Sequence, residues 1–358
     1  MLDYSIRVVV IFFLSAIIKL SSAQDFEFFE PKATLAGYGE LHYNYAKPDG
    51  MESEEILDFH RFVLFFGYAW TEKWSFKSEV ELEHNFVKNG QGELELEQAF
   101  VNYHHADYFG VQAGVVLVSA GLINEYHEPP KFLSVERPYY SSVIIPTTWF
   151  GNGVSVYGSS SGFEYRAVIM EGLNSDNFSP ASGIRGGRQK GFEADASHLL
   201  YNGKLDFIGL PGLRVGASYT YNNAVGDSTS NKIGLAEVHA QYEAHGLYAV
   251  TEFGNISYST GNIETSRGFY IDVGFNIGRL LNIESKIIPY FRFSDVNTAA
   301  KTISGGDSEK QYHITQVLAG ISFLPIDQVV FKLDYSEETI ELGSVKTKLF
   351  NLGVGYMF

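Results

Sequence analysis

The chain of 358 residues contains no cysteine. For an exported protein this excludes a small disulfide-stapled scaffold and leaves backbone hydrogen bonding and packing to hold the fold. Past the first two dozen residues there is no run of about eighteen apolar residues, so no bilayer-spanning helix is expected. Cationic residues are few: 26 Lys and Arg stand against 42 Asp and Glu, a formal charge of −16. That balance argues against nucleic acid and against docking on anionic lipid. HExxH and P-loop patterns are absent, as is a paired His/Ser/Asp constellation, and the GSSSG at 158–162 reads as a tight turn between strands and not as a nucleophile elbow. No enzymatic activity and no cofactor are therefore expected; His84 or His105 with nearby acids would be the strongest enzymatic candidates, and a histidine on a wet wall is more often structural.

What is present begins with residues 1–23, which read as a secretory signal peptide. Arg7 supplies the positive start, residues 8–18 the apolar stretch, and Ser21-Ser22-Ala23 the small residues before a cut ahead of Gln24. Eleven apolar residues are too few for a membrane anchor. At the other end, Phe350, Leu352, Val354, Tyr356 and Phe358 share one face of a strand, and Asn351, Gly353, Gly355 and Met357 the other. Such an ending looks like the closing strand of a bacterial outer-membrane barrel, with Tyr356 and Phe358 as the assembly signal.

Aromatics make up 15% of the chain and glycine contributes 36 residues, which suits a barrel with aromatic girdles at both membrane interfaces. Strands are expected near 33–46, 55–70, 73–86, 92–105, 108–119, 150–159, 162–173, 190–208, 213–223, 231–243, 247–259, 266–277, 285–294, 310–323, 328–338 and 345–358. Short turns alternate with longer polar connections almost throughout, as when short turns face the periplasm and long loops the outside. Leu213, Val215, Ala217, Tyr219 and Tyr221 alternate with Arg214, Gly216, Ser218, Thr220 and Asn222; the strands near 266–277 and 328–338 alternate likewise. The oily face is assigned to lipid and the polar face to a wet lumen, since only a closed sheet satisfies its backbone in hydrocarbon. The second and eleventh strands alternate less cleanly, and Pro289 suggests a bulge or a strand end. The expectation is an all-β, transmembrane, antiparallel up-and-down barrel of about sixteen strands forming one domain, 24–358, with no plug.

The stretches LDFHRFVLFFGY (57–68), KSEVELEH (77–84), GELELEQAFVNY (92–103), GLINEYHEPP (121–130), VIIPTTWFGNGV (143–154) and GIRGGRQKG (183–191) resemble the porin O/P family, the phosphate-selective porins of Gram-negative bacteria. The resemblance is specific over 57–191 and weaker beyond. It implies a sixteen-stranded, trimeric, passive channel whose long connection after strand five folds inward to narrow the pore. The segmentation independently puts the longest connection, about 120–149, after strand five.

In that connection Asn124, Glu125, Tyr126, His127 and Glu128 precede Pro129-Pro130, and Arg137 follows. They are read as a pore constriction stiffened by the prolines. Glu125, His127 and Glu128 are also metal-ligand types, but their spacing fits no catalytic metal motif, and no metal is assigned. Glu79, Glu81 and Glu83 on one strand, and Glu93, Glu95 and Glu97 on the next, share the lumen face. Facing carboxylates destabilise a sheet unless compensated; Lys77, Arg61, a bound cation, or Arg185, Arg188 and Lys190 on an inward loop are candidates. Lumen-face cations (Lys77, Arg166, Arg214, Arg292 and Lys332) are scattered, so the residues favour weak cation preference over the phosphate preference that the resemblance implies. The partners expected are outer-membrane lipid, small inorganic or organic solutes, the barrel assembly machinery and two further copies of the chain. A surface-interaction barrel with a blocked lumen is the alternative, and an outer-membrane hydrolase a more distant one.

Overall fold

The computed structural model describes residues 30–88 and 91–358; the signal-peptide segment lies outside them. Sixteen strands follow one another: β1 (Lys32–Pro48), β2 (Glu54–Ala69), β3 (Trp74–Glu83), β4 (Leu94–Ala106), β5 (Phe109–Leu117), β6 (Phe150–Ser160), β7 (Phe163–Met170), β8 (Leu200–Leu210), β9 (Leu213–Val225), β10 (Ser230–Ala244), β11 (Leu247–Tyr258), β12 (Ile263–Phe275), β13 (Lys286–Thr302), β14 (His313–Ile326), β15 (Val329–Ile340) and β16 (Val345–Met357). Each pairs antiparallel with its sequence neighbours, and β1 pairs with β16, so the sheet closes without an edge. No helix among the described residues is long and apolar enough to cross a membrane.

Burial runs opposite to that of a water-soluble sheet. On β9 Val215, Ala217, Tyr219 and Tyr221 are exposed while Ser218, Thr220 and Asn222 are buried. On β15 Phe331, Leu333 and Tyr335 are exposed while Lys332, Asp334 and Ser336 are buried. An oily outer band and a polar interior on alternating positions are what hydrocarbon outside and a hydrated, occupied interior select.

Most of the sequence-derived strands fall within a few residues of the observed ones, with three differences. β8 starts at Leu200 rather than near 190, because residues 189–197 serve a loop: Gln189 donates to the Gly172 carbonyl, and Asp195 accepts from the Ser197 amide and hydroxyl. β13 runs on to Thr302, paired to β12 through irregular register beyond Arg267, so the connection placed at 295–309 is shorter. The connection between β12 and β13, on the short-turn end, contains a 3-10 turn at Ile277–Arg279 and breaks the short–long alternation. Pro289 marks a strand end on one side: β13 pairs with β12 only from Tyr290 onward, while Pro289 stays in the β14 ladder opposite Ile321. Its missing N–H therefore falls where the β12 ladder has stopped.

Candidate functional site

The connection between β5 and β6 does not leave the barrel. Its base is stapled by Asn124, which is fully buried: its Nδ2 donates to the Val118 carbonyl at 2.7 Å and its Oδ1 accepts from the Trp149 amide at 2.7 Å. The two ends of the loop are thus tied together, and Asn124 is a staple instead of the pore-facing residue expected. Gly121, at φ +69°, lets the main chain reach the carboxylate of Glu252 on β11, where a Cβ would sit 2.5 Å from Oε2. The Leu122 amide donates to that oxygen at 2.9 Å.

From there the loop crosses the lumen. Glu125 accepts from Lys204 of β8 at 2.6 Å and from the Ser119 hydroxyl at 3.0 Å, with Arg166 of β7 at 3.3 Å. Burial opposes its charge, but Lys204 and Arg166 outweigh that and hold the carboxyl below its ordinary range. Tyr126 is exposed into the lumen beneath the Arg214 guanidinium, 5.7 Å from the ring centroid. His127 is buried between Glu79 and Glu97 on the facing β3 and β4. Glu128 precedes a single 3-10 turn, Pro129–Lys131, started by the two prolines.

On the far side the anchors are mostly backbone groups of the loop meeting polar side chains of the wall. Ser322 of β14 donates to the Leu133 carbonyl at 2.5 Å, Lys332 of β15 to the Ser134 carbonyl at 2.8 Å, and the Val135 amide donates to Asp334 at 2.7 Å. Lys332 also lies 3.7 Å from the centroid of the Phe132 ring. Glu136 accepts from His42 and Asn44 of β1, both at 2.9 Å. Burial pushes the Glu136 carboxyl up, yet the His42 hydrogen bond and charge hold it down at about 2.

The returning arm is apolar. Tyr140, Val143, Ile144, Ile145 and Trp149 pack with Leu122 and Ile123 against Val168, Leu200, Leu235, Val250, Ile256 and Tyr270 of the wall. Each such side chain contributes roughly 1.5–3 kcal/mol by leaving water. This patch explains the irregular alternation of β11: Val250 and Ile256 point inward because the loop, not water, meets them.

A second connection, 171–199, clamps the first. Arg185 donates to the carbonyls of Thr147 (2.6 Å) and Ser142 (3.2 Å), and Arg188 to those of Pro146 (3.2 Å) and Thr148. Burial and the neighbouring Arg185 lower the Arg188 guanidinium to about 10. These two arginines, expected to line the pore, bind loop backbone, and Arg185 also borders an inner cavity. Lys190 pairs with Glu93 and Glu95, whose hydrogen bonds outweigh burial and raise its ammonium above the ordinary value.

The six glutamates are therefore not a bare acidic wall. Glu79, Glu81 and Glu97 face inward but are buried beneath the loop, Glu81 lying 3.7 Å from Arg61, which in turn pairs with Glu40 at 2.6 Å. Glu93 and Glu95 are matched by Lys190, and Glu83 is half-buried at the rim of an inner cavity. Lys77 is exposed, 5.5 Å from the Phe65 ring centroid, and compensates none of them. The other scattered cations mostly brace the interior; Arg292 holds Asp272 through two bonds of 2.6 Å. Glu40, His42, Lys204, Glu252 and Asp334 were not singled out from the sequence, although each is a polar residue on an inward position of its strand.

The loop leaves two main spaces. One, of about 390 Å³, is lined by His42, Arg61, Glu83, Phe132, Arg137 and Arg185 among others. The other, of about 430 Å³, lies toward the short-turn end and is lined by Tyr126, Lys131, Phe132, Arg214, Asp272 and Lys286 among others. Phe132 borders both. Among the described residues no carboxylate lies within 4.0 Å of the guanidinium nitrogens of Arg137 or Arg185; for Arg137, Nε and Nη2 are buried without a hydrogen-bond partner. Burial, then the neighbouring Arg61, lowers the affinity of the Arg137 guanidinium for its proton.

A closed antiparallel barrel of sixteen strands, oily outside, polar inside and crossed by an infolded loop, defines a porin-type outer-membrane channel. Residues 36–258 match the family described as phosphate-selective porin O and P, and the chain belongs to that family. An uncharacterised protein of Aquifex aeolicus (strain VF5) is 34% identical over 331 residues, covering 85% of this chain and 75% of that protein. The fold is similar to Salmonella typhi OmpF in complex with daunomycin (TM-score 0.65, 13% identity, 91% of this chain and 98% of that one). It is also similar to an anion-selective porin from Comamonas acidovorans (TM-score 0.62, 10% identity, 92% and 100%) and to the trimer form of in-vitro folded OmpT from Vibrio cholerae (TM-score 0.58, 11% identity, 92% and 100%). The protein is an outer-membrane channel for small polar or charged solutes.

Proposed function

We propose that the segment 118–149 is the constriction of a passive pore and that the pore weakly prefers small anions, phosphate among them. The observation that carries this reading is the pair Arg137 and Arg185, which line the 390 Å³ cavity with no carboxylate in contact. Bordering the same space, Arg61 and Arg292 are paired with Glu40 and Asp272 and Glu136 with His42, while the carboxylates of Glu83 and Glu338 lie out of contact with either Arg137 or Arg185. In a confined tube, guanidinium groups left without a contacting carboxylate are free to hold a passing anion. This reverses the cation preference expected from the glutamates, of which Glu79, Glu81 and Glu97 lie buried beneath the loop and Glu93 and Glu95 pair with Lys190. The family's description as phosphate-selective and the anion-selective Comamonas acidovorans porin are in keeping with it.

Around that core we place the chain, after loss of residues 1–23, in the outer membrane with short turns toward the periplasm. Folding is by the barrel assembly machinery with Tyr356 and Phe358 as its signal, and assembly is as a homotrimer like the Vibrio cholerae OmpT form. Transport involves no catalysis. The test is the reversal potential of purified channels in planar bilayers under a KCl gradient. Anion preference is expected for the wild type, with a shift toward cations in Arg137→Gln and Arg185→Gln. A cation-selective wild type, unmoved by both changes, would refute the reading.

A further inference from the structure

His127 of the loop, Glu79 of β3 and Glu97 of β4 meet at a point sealed from solvent; their exposures are 3%, 0% and 1%. His127 Nε2 lies 3.3 Å from Glu79 Oε1 and 3.6 Å from Glu97 Oε2. Charge-assisted N–H···O contacts run about 2.7–2.9 Å, and none of these three atoms has a hydrogen-bond partner; nor does His127 Nδ1. Buried polar atoms left in that state are rare and costly. The two His127–carboxylate separations instead match the edges of a tetrahedron of ligands about 2.0–2.2 Å from a central ion, which are about 3.3–3.6 Å long. All three ligand atoms lie within 4.8 Å of one another.

The surroundings hold these groups in place. A register shift between Glu79 and Val80 puts Gln98 directly across from Glu79, with Glu97 beside it. Gln98 donates to the second oxygen of Glu79, leaving Oε1 free. The Tyr38 ring meets the His127 ring edge-on, centroids 6.1 Å apart. Two carboxylates and a neutral imidazole bring two negative charges into this pocket, with the Arg137 guanidinium near but out of contact, and a divalent ion offsets them. One imidazole among carboxylates suits a first-row transition cation better than Ca²⁺, which takes six to eight oxygens.

We propose that Glu79, Glu97 and His127 bind one divalent transition-metal cation, of which Zn²⁺ is representative, and that this ion pins the loop to the β3–β4 wall. The proposal does not depend on the ion preference of the pore. The test uses the full barrel, folded in detergent, stripped with a chelator and titrated with Zn²⁺ or with Ca²⁺ by calorimetry, with bound metal counted. His127→Gln and Glu97→Gln should each lose one equivalent of Zn²⁺ per chain, and His84→Gln, at the long-loop rim, should not lose that equivalent. Unchanged zinc content in both variants, or Ca²⁺ binding as tight as Zn²⁺, would overturn the proposal. X-ray absorption on wild-type protein with one equivalent of Zn²⁺ gives a test that no variant need fold for. One imidazole with oxygen ligands supports the site; two or more imidazoles would put the ion among His42, His60 and His84 and overturn it. No zinc uptake at all would also overturn it, leaving a protonated His127 as the counter-charge to the two glutamates.

Discussion

Gly37 and Phe358 exchange two backbone hydrogen bonds, Gly37 N–H to the Phe358 carbonyl at 3.0 Å and Phe358 N–H to the Gly37 carbonyl at 2.9 Å. The last residue thus completes the seam between β1 and β16. Its ring stacks on Phe62 with centroids 6.4 Å apart and covers the space a side chain at position 37 would need. Deleting Phe358 removes both bonds and leaves the Gly37 groups facing hydrocarbon. The yield of heat-modifiable, folded barrel in outer membranes is expected to fall; an unchanged yield would mean that the seam closes adequately without it.

Phe132 separates the two inner spaces, held by Lys332 over its ring. Phe132→Ala is expected to join them and raise single-channel conductance, while the backbone anchors at Leu133, Ser134 and Val135 keep the loop in place. Equal conductance in the two proteins would put the narrowest point elsewhere.

Asp334 accepts from the Val135 amide (2.7 Å), the Tyr290 hydroxyl (3.1 Å) and Asn351 Nδ2 (2.8 Å). Asp334→Ala strands these donors inside the barrel. A loss on the order of 3 kcal/mol is expected, since bonds to a charged acceptor are worth about 1.5–3 kcal/mol each and do not add fully. Thermal or denaturant unfolding in detergent, followed by gel mobility, measures it, with noisier conductance as a second sign of a loosened loop.

Acid should release the β1 anchor. The Glu136 carboxyl is held at about 2 in the folded protein against an ordinary value of 4.5, so the folded state favours its charged form. Its contribution is complete above about pH 4.5 and is lost as the pH falls from there toward 2. Glu125 is depressed too and acts in the same direction. Channel noise and Trp149 fluorescence are expected to change over that acidic window. Glu136→Gln should show the acidic noise already at neutral pH.

The strand pattern was readable because lipid is a uniform solvent: Phe331, Leu333 and Tyr335 need only be oily, and any such alternation betrays the outward face. The length of the connection after β5 and its polar cluster were also visible. What the loop does with that cluster was not. Asn124 binds its own loop base, Arg185 and Arg188 bind carbonyls, and His127 meets glutamates some thirty to fifty residues earlier in the chain. Those partnerships depend on where a crossing segment lands, which period-two arithmetic does not encode. The sequence did carry one unused trace of the landing site. Val250 and Ile256 are oily on what should be a wet face, and so mark the wall that the loop covers.

The path of the loop also constrains the order of events in biogenesis. Residues 118–149 precede β8 to β16 in the chain, yet their anchors include Lys204, Glu252, Ser322, Lys332 and Asp334 on those strands. The crossing segment must therefore be kept on the inner side of a curved sheet while part of the wall that anchors it is still unpaired. Once β1 and β16 have zipped together, insertion of the arm would have to proceed through the mouth of a finished cylinder. A chain whose arm is misplaced at that moment becomes a closed barrel with a wide bore, a leak through the membrane that sealing the seam cannot correct.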